Sequence, residues 1–175
     1  MEYKMKRIAR FHKVSMEQFL SAVREEFPEY SQEEIREAYA AVNLPRRATK
    51  GSAGYDFYSP FTFSLEPGAS IKVPTGIRAE MEEDWVLKLY PRSGLGFKYR
   101  LQLNNTVGII DSDYFSSDNE GHIMAKITND SREGKALEIT AGMGFMQGFF
   151  LEYGVTVDDD ASGIRNGGFG STTRA

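Results

Sequence analysis

Glycine and proline recur at short intervals between residues 46 and 157. These frequent turn-forming residues constrain the fold more than any other feature of the chain. The stretches between them are short and rich in β-branched and aromatic residues, which favours strands. Pro67-Gly68 is a turn signal between two of these stretches. Many short strands joined by turns are typical of a sandwich or jelly roll, so we predict a mainly β body, a distorted β jelly roll. The predicted strands are 55–58, 61–65, 70–73, 76–79, 85–90, 101–103, 107–110, 122–128, 137–140 and 148–155.

Residues 1–45 have a different pattern from this body. A short alternation at 8–14 predicts a strand. Ser15 and Ser31 then each begin a capping-box pattern that is followed by apolar residues at helical spacing. We therefore predict a helical hairpin at 15–43, inserted before the body. A packing role or a contact between copies of the chain is favoured over a separate binding function.

The C-terminal segment, residues 158–175, is predicted to be a flexible arm. Three aspartates at 158–160 precede a glycine-rich, polar sequence that cannot form a packed core. The aspartates favour a solvated linker over a metal site. The glycines allow consecutive N–H groups to wrap an anion, although the segment lacks the GKS or GKT ending of a P-loop. Phe169 is a large aromatic residue among these small ones. An aromatic ring in a flexible segment is suited to cover a flat surface such as a nucleobase.

Composition excludes several classes of chemistry. The chain has 175 residues and no cysteine, which rules out disulfides, thiolate metal sites and a cysteine nucleophile, and two histidines are too few for a multi-histidine zinc site. The net charge of −4 argues against a duplex-binding protein, so no nucleic-acid partner is expected. No apolar run reaches the roughly 18 residues that span a bilayer, and no apolar segment follows the basic N-terminus. We predict a cytoplasmic protein with no membrane partner.

Three segments of the body carry candidate chemistry. The sequence 91–96, PRSGLG, follows an apolar strand, and its arginine, hydroxyl and glycines suit phosphate oxygens, although an ordinary turn is the alternative. Asp111 ends the apolar run 107–110, where partial desolvation makes a carboxylate a better base. Gly108 leaves room for a ligand and Tyr114 forms a pocket wall; a strand followed by a turn is the alternative. Asp56 is a second carboxylate, in a loop that enters a strand.

Taken together and in this order, these segments resemble the trimeric dUTP diphosphatase (dUTPase) family, whose fold is a jelly roll of the β-clip type. The resemblance covers residues 44–175. One departure stands in the fourth segment, where Gly144 replaces the arginine of the family pattern. The five segments that carry the resemblance are Ala53–Phe57, Pro91–Gly94, Asn105–Tyr114, Ala141–Gln147 and Arg165–Thr172.

The resemblance implies an enzyme that hydrolyses dUTP to dUMP and diphosphate with Mg²⁺. This reaction keeps uracil out of DNA and supplies dUMP for dTMP synthesis. It also implies a homotrimer whose chains share three active sites, with the arm of one chain closing over a site built by the others. Phosphates and water would hold the metal, with Asp56 touching its water shell and no protein atom bound to it directly, in keeping with the reluctance of Mg²⁺ to dehydrate.

By position, the resemblance assigns a role to each site residue. Asp111 resembles the base that activates the water attacking the α-phosphorus. Tyr114 resembles the residue that packs under deoxyribose and excludes a 2′-hydroxyl. The uracil-reading edge is implied at Asn105, Gly108 and Ile110. The substrate contacts implied at the phosphates and in the arm are Arg92, Ser93, Gly94, Gln147, Arg165, Gly168, Gly170, Ser171 and Thr172, with Phe169 as a lid over uracil.

Two other functions stay open from the sequence. Deamination of dCTP uses a related fold, but the sequence GIIDSDY at 108–114 follows the diphosphatase pattern. A regulatory trimer that binds dUTP and acts on a protein partner is the second alternative. The helical hairpin and the long loop 115–120 are where such a partner would dock.

Overall fold

The computed structural model of the protein describes residues 5–165, and within them the chain is mainly β, as predicted. The strands are β1 (Ala9–Lys13), β2 (Arg46–Arg47), β3 (Tyr55–Tyr58), β4 (Phe63–Leu65), β5 (Ser70–Pro74), β6 (Ile77–Met81), β7 (Trp85–Pro91), β8 (Leu101–Leu103), β9 (Gly108–Asp111), β10 (Met124–Asn129), β11 (Leu137–Ile139) and β12 (Gly144–Glu152). The helices are α1 (Met16–Glu26), α2 (Gln32–Ala41) and α3 (Ser93–Tyr99), with a 3₁₀ turn at Ser112–Ser116. In this part of the chain no helix is long and apolar enough to cross a membrane.

The predicted helical hairpin is confirmed as α1 and α2, and the capping residues begin both helices. The hydroxyl of Ser15 accepts a hydrogen bond from the amide of Gln18 at 3.1 Å. At α2, the hydroxyl of Ser31 accepts from the amide of Glu34, whose carboxylate accepts from the amide of Ser31. These bonds satisfy amide groups that the first turn of a helix leaves without a partner in the helix.

The hairpin is part of the main core. Phe19, Val23 and Ile35 are completely buried in the same hydrophobic cluster as the body. Phe27 of the hairpin stacks on Phe61 of the body, with ring centroids 4.9 Å apart. Large aromatic side chains contribute most of the burial energy in a core. The packing role predicted for the hairpin therefore agrees with its position.

The strands form antiparallel sheets, of which the largest has the order β2-β3-β12-β7-β9. The central strand β12 pairs with β3 on one side and with β7 on the other. In this register Gln147 lies opposite both Asp56 and Tyr90. Strand β9 pairs with the far side of β7 and places Asp111 opposite Val86. This sheet therefore positions five of the candidate site residues, which are Asp56, Gly108, Ile110, Asp111 and Gln147.

Helix α3 and strand β12, which carry candidate site residues, are among the elements that differ from the sequence prediction. Helix α3 occupies a segment whose two glycines indicated a turn. Burial of Leu95 stabilises this helix, and Arg100 ends it in the left-handed conformation. Strand β12 begins at Gly144 and ends at Glu152, whereas the prediction placed it at 148–155. Its glycines are tolerated because neighbouring side chains fill the space over them: a Cβ on Gly148 would lie 2.7 Å from Leu89 Cδ2.

Candidate active site

A cavity of about 480 Å³ opens beside β9, the strand that carries the central candidate segment. Its walls are mainly apolar, and a few polar groups converge on it, which is the usual make-up of a small-molecule site. The volume also falls within the range of such sites. The cavity is lined by Leu89, Leu103, Asn104, Asn105, Val107, Gly108, Ile109, Ile110, Tyr114, Met124, Ala125, Lys126, Met146 and Arg165.

Tyr114 forms a fixed wall of this cavity. Its ring is buried, and its hydroxyl donates to the carbonyl of His122 at 2.9 Å and lies 2.8 Å from the donating Nδ2 of Asn119. Burial raises the pKa of this phenol, against the smaller opposing effects of the Asn119 hydrogen bond and the Arg165 charge. The side chain is therefore a neutral, oriented ring rather than a mobile or ionised one.

Asp111 directly follows the lining residue Ile110, where β9 ends and the 3₁₀ turn begins, and so lies beside the cavity. Its side chain is 43% exposed. Arg165 bridges two carboxylates here: it donates through Nη2 to Asp111 and through Nε to Asp113 Oδ1 at 2.7 Å. The first arginine of the arm thus lies on the same chain's Asp111. An acidic oxygen, an apolar cavity and a guanidinium meet at this point.

A second group of candidate residues surrounds Arg92. Its Nε lies 3.4 Å from Asp56 Oδ1, and its Nη1 lies 3.4 Å from the carbonyl oxygen of Gly144. Gln147 stands opposite Asp56 in the sheet, and the exposed pair Ser93 and Gly94 begins α3. A cation, a hydroxyl and an amide are therefore gathered on an open surface, an arrangement that suits an anion.

The two groups lie at opposite ends of β7 within one chain. Asp111 pairs with Val86 near the start of the strand, whereas Arg92 directly follows Pro91 at its end. At about 3.4 Å per residue, the six positions from Val86 to Arg92 span roughly 20 Å along the strand. Within residues 5–165, the structure thus brings the candidate residues together as two clusters, one at the cavity and one at Arg92.

At two positions the structure gives a reason for glycine that differs from the one inferred from the sequence. Gly108 lines the cavity, but a Cβ there would lie 2.9 Å from Leu89 Cβ, so close packing of β9 against β7 requires glycine. At Gly144, a Cβ would lie 2.9 Å from Arg92 Nη1. The space that a side chain would fill at this position is occupied by the guanidinium of Arg92.

Sequence reasoning missed the residues that hold Tyr114 in place. His122 and Asn119 lie five to eight residues after it, and no motif marks them. The predicted arm contacts Gly168, Phe169, Gly170, Ser171 and Thr172 lie outside the described residues. Between residues 5 and 165, no group of three or more histidine, aspartate or glutamate side chains is placed to hold a metal ion.

The fold and the cavity define a mainly β protein with a site for a small, partly polar molecule, and comparison with known proteins narrows this class. The family model for dUTPase matches residues 40–173. The deoxyuridine 5′-triphosphate nucleotidohydrolase of Lactococcus lactis subsp. lactis (strain IL1403) is 40% identical over 136 residues, which cover 76% of this chain and 89% of that protein. The chain therefore belongs to the dUTPase family, and the resemblance seen in its motifs is confirmed.

Solved structures agree with this assignment. The dUTPase of Streptococcus mutans superimposes with a TM-score of 0.61 at 31% identity, over 85% of this chain and 98% of that one. The dUTPase of phage phi11 of S. aureus, in a mutant described with a structural Mg(II) ion, gives a TM-score of 0.57 at 21% identity over 70% and 92% of the two chains. The second likeness shows the fold alone.

Proposed function

We propose that this protein hydrolyses dUTP to dUMP and diphosphate. The observation that carries the proposal is the apolar cavity walled by the buried Tyr114, with Asp111 beside it, in a chain of the dUTPase family. Relatives named deoxyuridine 5′-triphosphate nucleotidohydrolase support the choice of substrate. In this role the enzyme removes a precursor of uracil in DNA and supplies dUMP for dTMP synthesis.

The cavity is proposed to take the uracil and deoxyribose. Asn105 lines it beside the backbone of Gly108 and Ile110, so amide and carbonyl groups are available to read the polar edge of a pyrimidine. The ring of Tyr114 is held by two hydrogen bonds and cannot easily withdraw. A fixed ring under the sugar leaves no space for a 2′-hydroxyl, which is the proposed basis for selecting a deoxynucleotide.

Asp111 is proposed as the general base. A carboxylate beside a cavity accepts a proton from a water molecule within hydrogen-bond reach, and that water attacks the α-phosphorus. The P–O bond to diphosphate then breaks, and dUMP keeps the oxygen from water. Because Arg165 lies on Asp111, its guanidinium must move from the carboxylate as substrate binds. We propose that it turns to the phosphates, to which its positive charge is suited.

The cluster around Arg92 is proposed to hold the triphosphate. Arg92 supplies the charge, and Ser93, Gly94 and Gln147 supply neutral donors. The residues at this cluster fit the Mg²⁺ ion that the family resemblance implies. Asp56 offers a carboxylate oxygen beside Arg92, and Mg²⁺ prefers oxygen ligands and keeps much of its water. Bound there through water, the metal would neutralise charge on the phosphates.

The homotrimer with shared sites that the family resemblance implies is supported by the separation of the two clusters. Within one chain Asp111 and Arg92 lie at opposite ends of β7, so a single nucleotide site that uses both draws them from different chains. Phe97 and Ile109 are large apolar side chains left exposed near these clusters. Their burial between chains would add to the stability of the assembly.

Diphosphate release tests the proposed function. Purified protein is given dUTP, dCTP, dTTP or UTP, with and without Mg²⁺. We expect release from dUTP in the presence of Mg²⁺ and far slower release in the other reactions. Ammonia release from dCTP would instead support deamination. Tight dUTP binding with no release at saturating substrate would contradict hydrolysis and support the regulatory alternative.

A further inference from the structure

The helical hairpin is hydrogen-bonded to the loop that follows Tyr114. Ser15, the residue that caps α1, donates its amide to Glu120 Oε2 at 2.7 Å and its hydroxyl to Glu120 Oε1 at 2.6 Å. These two residues are 105 positions apart in the chain. A carboxylate that receives two hydrogen bonds from one residue is held in both position and orientation.

Arg78 of β6 contacts the same loop at its first residue, Phe115, and again at Glu120. Its guanidinium carbon lies 3.7 Å from the ring centroid of Phe115, and Nη2 donates to the carbonyl of Phe115. Its Nη1 also lies 3.8 Å from Glu120 Oε2. Burial works to raise the pKa of the Glu120 carboxyl, but the hydrogen bonds from Ser15 and the charge of Arg78 outweigh it and hold that pKa below its usual value. Glu120 is therefore a charged anchor.

His122 connects this anchor to Tyr114. Its ring is completely buried, packs 6.3 Å from the ring of Phe19 in α1, and accepts the amide hydrogen of Gly76 through Nε2 at 2.9 Å. Its carbonyl receives the hydrogen bond from the hydroxyl of Tyr114. Helix α1 thus contacts the loop both through its capping residue and through its first buried aromatic side chain.

We propose that the helical hairpin is a positioning element of the active site, in which Ser15 holds Glu120 and thereby fixes Tyr114 against the cavity. The proposal rests on the proposed function, in which Tyr114 selects deoxyribose. Ser15 and Glu120 do not line the cavity, so they act on substrate only through the loop 115–122. The hairpin then has a role in sugar selection as well as in packing.

Ser15→Ala and Glu120→Gln test this proposal, with Ser31→Ala as the matched control. Ser31 caps the other helix of the same hairpin, and among the described residues its hydroxyl bonds with Glu34 of that helix, so its loss weakens a helix without touching the loop. The first readout is the ratio of kcat/KM for dUTP to that for UTP. The second is hydrogen exchange of the amides in 112–122. Ser15→Thr, which keeps the hydroxyl, serves as the rescue variant.

We expect Ser15→Ala and Glu120→Gln to lower the dUTP-to-UTP ratio and to speed exchange in 112–122, each by about tenfold, as befits the loss of a hydrogen bond to a charged group. Ser31→Ala should change neither, and Ser15→Thr should restore both. If Ser15→Ala does not fold, Glu120→Gln carries the same test because it keeps the cap of α1.

An unchanged ratio and unchanged exchange in folded Ser15→Ala and Glu120→Gln would overturn the positioning role while leaving the proposed function intact. Equal effects of Ser31→Ala would also overturn it, because they would show a general loss of stability. Failure of the wild-type protein to release diphosphate from dUTP would instead overturn the proposed function.

Discussion

At the scale of single residues, burial decides the chemistry of the site's supporting groups. His122 shows this most clearly, because burial lowers its pKa to about 4 against the smaller opposing effect of Glu120. The unfolded chain binds the proton near the ordinary value of 6.5, so between the two values the unfolded state holds more protons than the folded state. The stability of the fold must therefore rise with pH across this range.

We expect the free energy of unfolding to fall by about 2 to 3 kcal/mol between pH 7 and pH 4.5 through His122 alone. Denaturant titration at several pH values, at fixed protein concentration, measures it. His122→Asn should be less stable at pH 7 but should lose most of this dependence. A wild-type curve that is flat from pH 7 to pH 4.5 would show that His122 is not a buried neutral base.

Tyr114 belongs to the same scale because its ring alone is proposed to exclude the 2′-hydroxyl. Tyr114→Ala should lower the dUTP-to-UTP ratio of kcat/KM by up to about 10²-fold, the discrimination that a close-fitting wall gives against one extra hydroxyl. Tyr114→Phe keeps the ring and should keep most of the ratio. A ratio that Tyr114→Ala leaves unchanged would remove Tyr114 from the sugar pocket.

At the scale of elements, β12 sets the position of Arg92. Gly144 lies where the guanidinium crosses the strand, so Gly144→Ala should push Arg92 away from Asp56. The far end of a flexible side chain moves at little cost, and we expect the free energy of unfolding to change by less than about 1 kcal/mol. The KM for dUTP should rise by roughly three- to tenfold, because substrate binding loses an oriented charge.

Steady-state kinetics and denaturant unfolding check this pair of effects. Gly154→Ala is the control, since nothing lies within 4 Å of a Cβ at that position. A large loss of stability with an unchanged KM would mean that Gly144 serves the packing of β12 and not the placement of Arg92.

The elements also show why some structure was predictable from sequence and some was not. The helices of the hairpin were predictable because Ser15 and Ser31 cap amphipathic runs, and both signals are local. Helix α3 was not, because its formation depends on the burial of Leu95 in the hydrophobic core. The contact between Ser15 and Glu120 was equally hidden, since it joins positions far apart in the sequence.

The candidate site also has a part that was predictable from the sequence and a part that was not. Asp111 and Tyr114 were predictable as candidates because Asp111 ends the apolar run 107–110 and Tyr114 follows it in the same short motif. Their grouping with Arg165, and the separation of this group from Arg92, follow from the register of β7 and β9. Register depends on pairing between strands, and no single segment contains that information.

At the scale of the whole molecule, each proposed site draws its two clusters from different chains. Arg92→Ala and Asp111→Asn should each be nearly inactive alone. The two variants are mixed in equal amounts, unfolded and refolded together. About a quarter of wild-type activity should return, because a site has a chance of one half of receiving an intact Arg92 and, independently, a chance of one half of receiving an intact Asp111. If both clusters of a site came from one chain, mixing would restore nothing.

The central claim is that Asp111 activates water for attack on dUTP, and one measurement tests it most directly. Single-turnover release of diphosphate is compared between wild type, Asp111→Asn and the control Asp113→Asn, which removes the neighbouring carboxylate that also binds Arg165. With dUTP binding retained, Asp111→Asn should be slower by about 10² to 10⁴-fold, the usual contribution of a general base, whereas Asp113→Asn should stay within about threefold of wild type. A rate for Asp111→Asn within about threefold of wild type would contradict the account.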